Sequence, residues 1–142
     1  MVKESVDFCI MEVSSHALDL NRVAFCDFKS GIFTNLTPDH LELHKDMAHY
    51  FEAKAKLFDM TNHANIINDD DAYGKLLADR LKERGRVKTL TYGLTQRSDV
   101  YATNILYGAD HSIYTAVTPI GEIKIRVNIP GEIYVYNSLA VV

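Results

Sequence analysis

The chain has 142 residues, of which 47% are hydrophobic and 24% charged, with a formal net charge of -4 and two cysteines. That length supports one buried core, the acidic balance argues against a general nucleic-acid binder, and two cysteines suit a reducing compartment better than a disulfide framework. No apolar run reaches the roughly 20 residues of a membrane-spanning helix and no charged, then apolar, leader opens the chain, so the expectation is a cytoplasmic protein with no membrane insertion.

Taken in order, residues 6 to 13 are almost continuously apolar and β-prone, the pattern of a strand covered on both faces of a parallel sheet. Glu12 falls at its carboxyl end, and Cys9 within it, like Cys26 further on, reads as a packing residue. Residues 14 to 30 read as a loop with a short helix, and 31 to 36 as a second strand. Thr37-Pro38-Asp39 has the chemistry of a helix start, and a helix is expected from about 47 to 60. Its Met47, Tyr50, Phe51, Leu57 and Phe58 share one face, and Lys54 lies in the middle of that face.

A buried strand over 64 to 68 then ends at the acidic turn Asp69-Asp70-Asp71. A helix over about 71 to 84 is expected to bury Leu76, Leu77 and Leu81 and to stop at Gly85. Beyond it the pattern changes to strands over 88 to 92, 100 to 107, 112 to 117 and 122 to 129, the last two joined by a hairpin turn at 118 to 121. A helix begins near 134. The reading is an α/β fold: a partial Rossmann-like domain, largely parallel, with flanking helices and a smaller antiparallel part. Residues 1–86 form its α/β part, 87–130 its mostly antiparallel part, and 131–142 a truncated helix. Both ends look like cuts through a longer protein.

Several residues carry chemistry. A carboxylate such as Glu12 at the carboxyl end of a strand can hold a divalent cation beside phosphates, or simply emerge into solvent. His40 and His44 are four apart, which on a helix is a metal-ligand spacing, yet no third ligand accompanies them in the pattern. A lysine on a buried stripe, as Lys54 is, must be paired, desolvated with a depressed pKa, or chemically altered, unless its stem packs and its ammonium snorkels to water. Lys56 points to another face. Asn137 has the amide that reads an adenine edge, or is a plain helix cap, and Arg22 is a phosphate or carboxylate fork, or a solvated arginine.

Five ordered stretches, MEVSSHAL at 11 to 18, NRV at 21 to 23, FTNLTPDHLELH at 33 to 44, HYFEAKAKLF at 49 to 58 and PGEIYVYNSLA at 130 to 140, resemble the central ATP-binding domain of the Mur ligase family. The resemblance is nearest to the branch that adds a diamino acid to UDP-MurNAc-L-Ala-D-Glu. It implies an ATP- and Mg2+-dependent amide-bond ligase of peptidoglycan precursor synthesis. It further implies Glu12 and His40 as metal ligands, Lys54 as a carbamylated lysine at the same metal, Ser14 and Arg22 as contacts to the UDP-muramoyl substrate, and Asn137 as the reader of adenine. Leu20 stands where many members of that branch have a glutamine. The family's phosphate loop, GT-x-GK-[ST], does not occur in the chain, so the expectation is that it lies outside, with the N- and C-terminal domains, and that these 142 residues alone are inactive. The competing readings are a folylpolyglutamate synthetase-like ligase and a non-catalytic nucleotide-binding or interaction module.

Overall fold

A computed structural model describes residues 5–38 and 44–142. Among them, the helix α1 (Ser15–Asp19) leads into strand β1 (Phe28–Phe33), then α2 (Met47–Ala55), a 3₁₀ turn (Lys56–Asp59) and β2 (Thr61–Asn68). There follow α3 (Ala72–Arg84), β3 (Lys88–Gly93), β4 (Val100–Tyr107), β5 (Ser112–Thr118), β6 (Gly121–Val127) and α4 (Glu132–Leu139). The strands form one mixed sheet in the order β1-β2-β3-β4-β5-β6. β1 through β4 run parallel, and β4-β5-β6 are antiparallel.

Local chemistry sets the helix ends. Asp46 caps α2 by accepting the His49 backbone N–H at 2.7 Å, and Asp71 caps α3 through the Gly74 N–H at 2.8 Å. Gly85 closes α3 at φ 60, where a side chain would be strained. The β5–β6 hairpin turns tightly between Thr118 and Gly121, as the sequence indicates.

Two clusters fill the interior. α2 and α3 contribute Tyr50, Phe51, Leu77, Ala78 and Leu81 to a core with Phe33, Leu36, Phe58 and Ile67. α4 packs Val135 and Leu139 against Tyr92, Ala102, Tyr114 and Ala116 of β3 to β5, and Ile66 joins this second group. Successive residues of a strand face opposite ways, so Ile66 and Ile67 place the two cores on opposite faces of the sheet at β2.

Some expectations fail. Residues 6 to 13 form no strand: Val6, Phe8 and Ile10 are exposed at 53%, 85% and 99%. An apolar, β-prone run becomes a strand only where a ladder partner accepts it, and among the described residues nothing pairs with the outer edge of β1. Cys9 and Cys26 are both exposed free thiols, not the buried packing residues expected. Thr37 and Pro38 are not helical, and Asp39 lies outside the described residues, whereas α2 does start at Met47 as expected. Its α-helical part ends at Ala55, the last turn being 3₁₀.

Leu76 is also displaced from its expected place. The buried face of α3 is Gly74, Leu77, Ala78 and Leu81, which rotates Leu76 outward to 50% exposure. Ile67→Ala is therefore expected to lower unfolding free energy by about 2–5 kcal/mol, since Ile67 is fully buried, and Leu76→Ala by no more than about 0.5 kcal/mol. Urea titration of both variants checks the assignment, and equal losses would contradict it. Among the described residues no helix is long and apolar enough to cross a membrane.

Candidate functional site at the carboxyl ends of the first strands

β1 and β2 are parallel neighbours, so their carboxyl ends open on the same edge, the place where open α/β sheets bind ligands. Two side chains tie those ends together. The Asn68 side-chain amide donates to the Thr34 carbonyl at 2.7 Å, and the Leu36 N–H donates to Asp71 Oδ2 at 3.2 Å. Asp71 thus serves two segments at once, capping α3 with one oxygen and holding the 34–36 loop with the other.

α2 delivers Lys54 to this loop. Its ammonium donates to the Asn35 carbonyl at 3.3 Å and stands 5.3 Å from the Tyr50 ring centroid and 6.0 Å from that of Phe33. The side chain is half-buried on the predicted face of the helix. Burial pushes its pKa below that of an ordinary lysine, while the charges of Asp71 and Glu12 pull the other way. Burial wins, so the neutral, nucleophilic amine forms at lower pH than for a solvated lysine. Neither the predicted strand nor a sheet edge places Glu12; it sits exposed in irregular backbone just before α1, near enough to Lys54 to act on it electrostatically.

The remaining predicted residues are dispersed. Ser14 caps α1, its hydroxyl accepting from the Ala17 N–H at 3.2 Å. Arg22 is exposed just after α1, and Asn137 is exposed within α4, so Asn137 is not a cap: that position belongs to Gly131. Among the described residues no side-chain bond joins Arg22 or Asn137 to Lys54. His40 lies outside the described residues.

The helix carrying Asn137 is nonetheless fastened to the acidic turn. Asp70 accepts from the Leu94 N–H at 2.6 Å, Arg97 Nη2 at 3.0 Å and the Tyr136 hydroxyl at 3.0 Å. Burial first, and the adjacent Asp70 carboxylate second, push the Tyr136 hydroxyl pKa up. In the sequence, Asp69 to Asp71 read as an acidic turn at the start of a helix. The helix-start position of Asp71 was visible there; its second partner, 35 residues away, was not.

A separate cluster lies where α1 meets the start of α2. His44 is buried at 4% exposure, in a bend rather than on a helix, so the i, i+4 pairing read for it with His40 does not describe its setting. Its Nδ1 is 3.2 Å from His49 Nδ1 and 3.5 Å from Asp19 Oδ2, its Nε2 is 2.8 Å from Ser15 Oγ, and its ring stacks on Tyr50 at 4.6 Å. Lys56 donates to the other oxygen of Asp19 at 2.6 Å, and that bond holds the Asp19 carboxyl below the usual range.

Known proteins share both the sequence and this architecture. The Mur ligase middle domain matches residues 1–142. The chain is 49% identical over 142 residues, all of its length and 29% of the relative's, to a UDP-N-acetylmuramoyl-L-alanyl-D-glutamate--2,6-diaminopimelate ligase of Clostridioides difficile (strain 630). It is 46% identical over 140 residues, 99% of its length and 28% of the relative's, to a protein of the same name from Alkaliphilus metalliredigens (strain QYMF). A solved UDP-N-acetylmuramoyl-L-alanyl-D-glutamate--2,6-diaminopimelate ligase superposes with a TM-score of 0.88 at 32% identity, over 97% of this chain and 29% of that one. The chain thus spans under a third of the length of these relatives. A family match over every residue, with the fold of a solved relative, makes this chain a member of the Mur ligase family, corresponding to its middle domain.

Proposed function

We propose that the protein acts as the ATP-dependent ligase that joins a diamino acid, 2,6-diaminopimelate, to UDP-MurNAc-L-Ala-D-Glu in the cytoplasm. The observation that carries this reading is Lys54: a half-buried lysine with a depressed pKa, bonded to the Asn35 carbonyl in the loop after β1, where the charges of Asp71 and Glu12 act on it. The names of the relatives supply the substrate class.

Lys54 in its neutral form adds to carbon dioxide; the new N–C bond gives a carbamate and releases a proton. The carbamate oxygens and Glu12 would supply oxygen donors to Mg2+, a hard cation, and His40 is assigned to assist there from its place in the 33 to 44 stretch. Bound there, Mg2+ would neutralise charge on the phosphates of ATP. Ser14 and Arg22 bind the UDP-muramoyl group, and Asn137 reads adenine through its exposed amide. The glutamate carboxylate of the substrate displaces ADP from the terminal phosphoryl group. The resulting acyl phosphate is then opened by the amine of the diamino acid, with loss of phosphate and a proton.

No GT-x-GK-[ST] run occurs in these 142 residues, and such loops cradle the β- and γ-phosphates. Turnover is accordingly assigned to a chain of the relatives' length, not to this segment alone. The test is ADP release by such a chain with UDP-MurNAc-dipeptide and 2,6-diaminopimelate, each omitted in turn. Release that requires both supports the reading; release driven by a folate substrate, or none at all, overturns it.

A further inference from the structure

We propose that Asp19, His44 and His49 form a binding site for a divalent transition ion of the Zn2+ class, separate from the Lys54 site. The ligand atoms set the case. His44 Nδ1 lies 3.2 Å from His49 Nδ1 and 3.5 Å from Asp19 Oδ2, and all three ligating atoms fall within 4.8 Å of one another. Bonds of about 2.0–2.2 Å to a tetrahedral ion separate neighbouring ligand atoms by about 3.3–3.6 Å. Of the two distances to His44, 3.5 Å lies on that edge and 3.2 Å just short of it.

The surroundings are those of a ligand set. Ser15 Oγ at 2.8 Å from His44 Nε2 occupies the far nitrogen, leaving Nδ1 to face the other two residues, as an outer partner of a metal-bound histidine does. Stacking on Tyr50 fixes the ring plane. His49 is held by the first turn of α2 through the Asp46 cap, and the three residues run from buried His44 through half-buried Asp19 to exposed His49. Exposed His49 puts one side of the cluster in solvent, from which water would supply a fourth ligand. Two imidazoles and one carboxylate favour a borderline-soft ion over Mg2+, which prefers an all-oxygen octahedron.

Lys56 opposes the ion. Its ammonium holds Asp19 Oδ1 at 2.6 Å, and a cation bound at Oδ2 would sit close to it. Removing that charge should tighten binding, whereas a histidine pair that merely shares a hydrogen bond would show no metal response to the change.

The experiment loads the 142-residue chain, with Cys9 and Cys26 both replaced by Ser to remove the exposed thiols, with Co2+ and with Zn2+. The expected results are one ion per chain, a visible Co2+ absorption band of low-coordinate geometry, and a higher melting temperature with Zn2+ but not with equal Mg2+. His49→Ala and Asp19→Asn, neither at a fully buried position, should weaken binding by at least about 100-fold, the upper end of the loss on disturbing an outer partner of a metal ligand, and Lys56→Met should strengthen it. Absence of the band, or equal affinity in His49→Ala and the parent, overturns the site. Circular dichroism of each variant confirms that lost binding is not lost folding, and a variant that fails it is replaced by His49→Gln, which must also weaken binding.

Discussion

Lys54→Met is expected to reduce ligase turnover by about 100-fold to 1000-fold, the scale on which one preorganised charge-stabilising group acts at a phosphoryl or acyl centre. Methionine keeps an apolar stem against the Phe33 and Tyr50 rings and removes only the amine, so stability should change little. The loss should appear in kcat with the KM for UDP-MurNAc-dipeptide nearly unchanged, since the amine is proposed to serve the reaction and not the binding of the sugar nucleotide. Lys75→Ala, an exposed lysine on α3, is the control and should match the parent. Carbamate formation consumes the neutral amine and releases a proton. Modification at Lys54 should therefore rise with pH through the depressed pKa of that residue, and with bicarbonate, as read by the carbon-13 signal of labelled bicarbonate. A parent-like kcat in Lys54→Met would sink the assignment.

How much of this was legible in the sequence depends on how local the determinant is. α3 was readable nearly to the residue because Asp71 and Gly85 mark its ends through their own backbone chemistry. The β5–β6 hairpin was readable because a two-residue turn fixes its register. Lys54 was readable because its anomaly is one of helical spacing, which survives whatever the helix packs on. The strand predicted over 6 to 13 failed for the opposite reason: a strand is completed by a neighbour, and composition carries no information about which edge is available. Leu76 failed more narrowly. Three leucines in six residues left the face of α3 undetermined, and the small residues Gly74 and Ala78 decided it by allowing close approach. The His44 cluster was invisible because its partners stand 5 and 29 residues away on different elements, so no periodicity joins them.

Gly74→Ala is expected to destabilise the protein by about 1–3 kcal/mol, reversing the usual sign of such a change in a helix. On propensity alone, alanine would favour α3 by up to about 1 kcal/mol. Here a methyl group at position 74 would overlap the carbonyl oxygen of Asn68. That obstacle is backbone, which cannot rotate aside as a flexible side chain would. The strain also has a definite route. Gly74 donates its N–H to Asp71 Oδ1, and Asp71 Oδ2 holds the Leu36 N–H; Asn68 in turn holds the Thr34 carbonyl. Moving Gly74 away from Asn68 therefore loosens the 34–36 loop, and with it the Asn35 carbonyl that receives Lys54. A urea titration should show the loss, and amide exchange should show Leu36 opening in the variant while Ile67, fully buried in the same core, stays protected under conditions that keep the fold. Asp71→Ala should open Leu36 as well, and the double variant should lose less than the two single losses combined, because both act on one set of bonds. Strict additivity, or a Gly74→Ala protein as stable as its parent, would mean that the turn between β2 and α3 does not hold the lysine's loop in place.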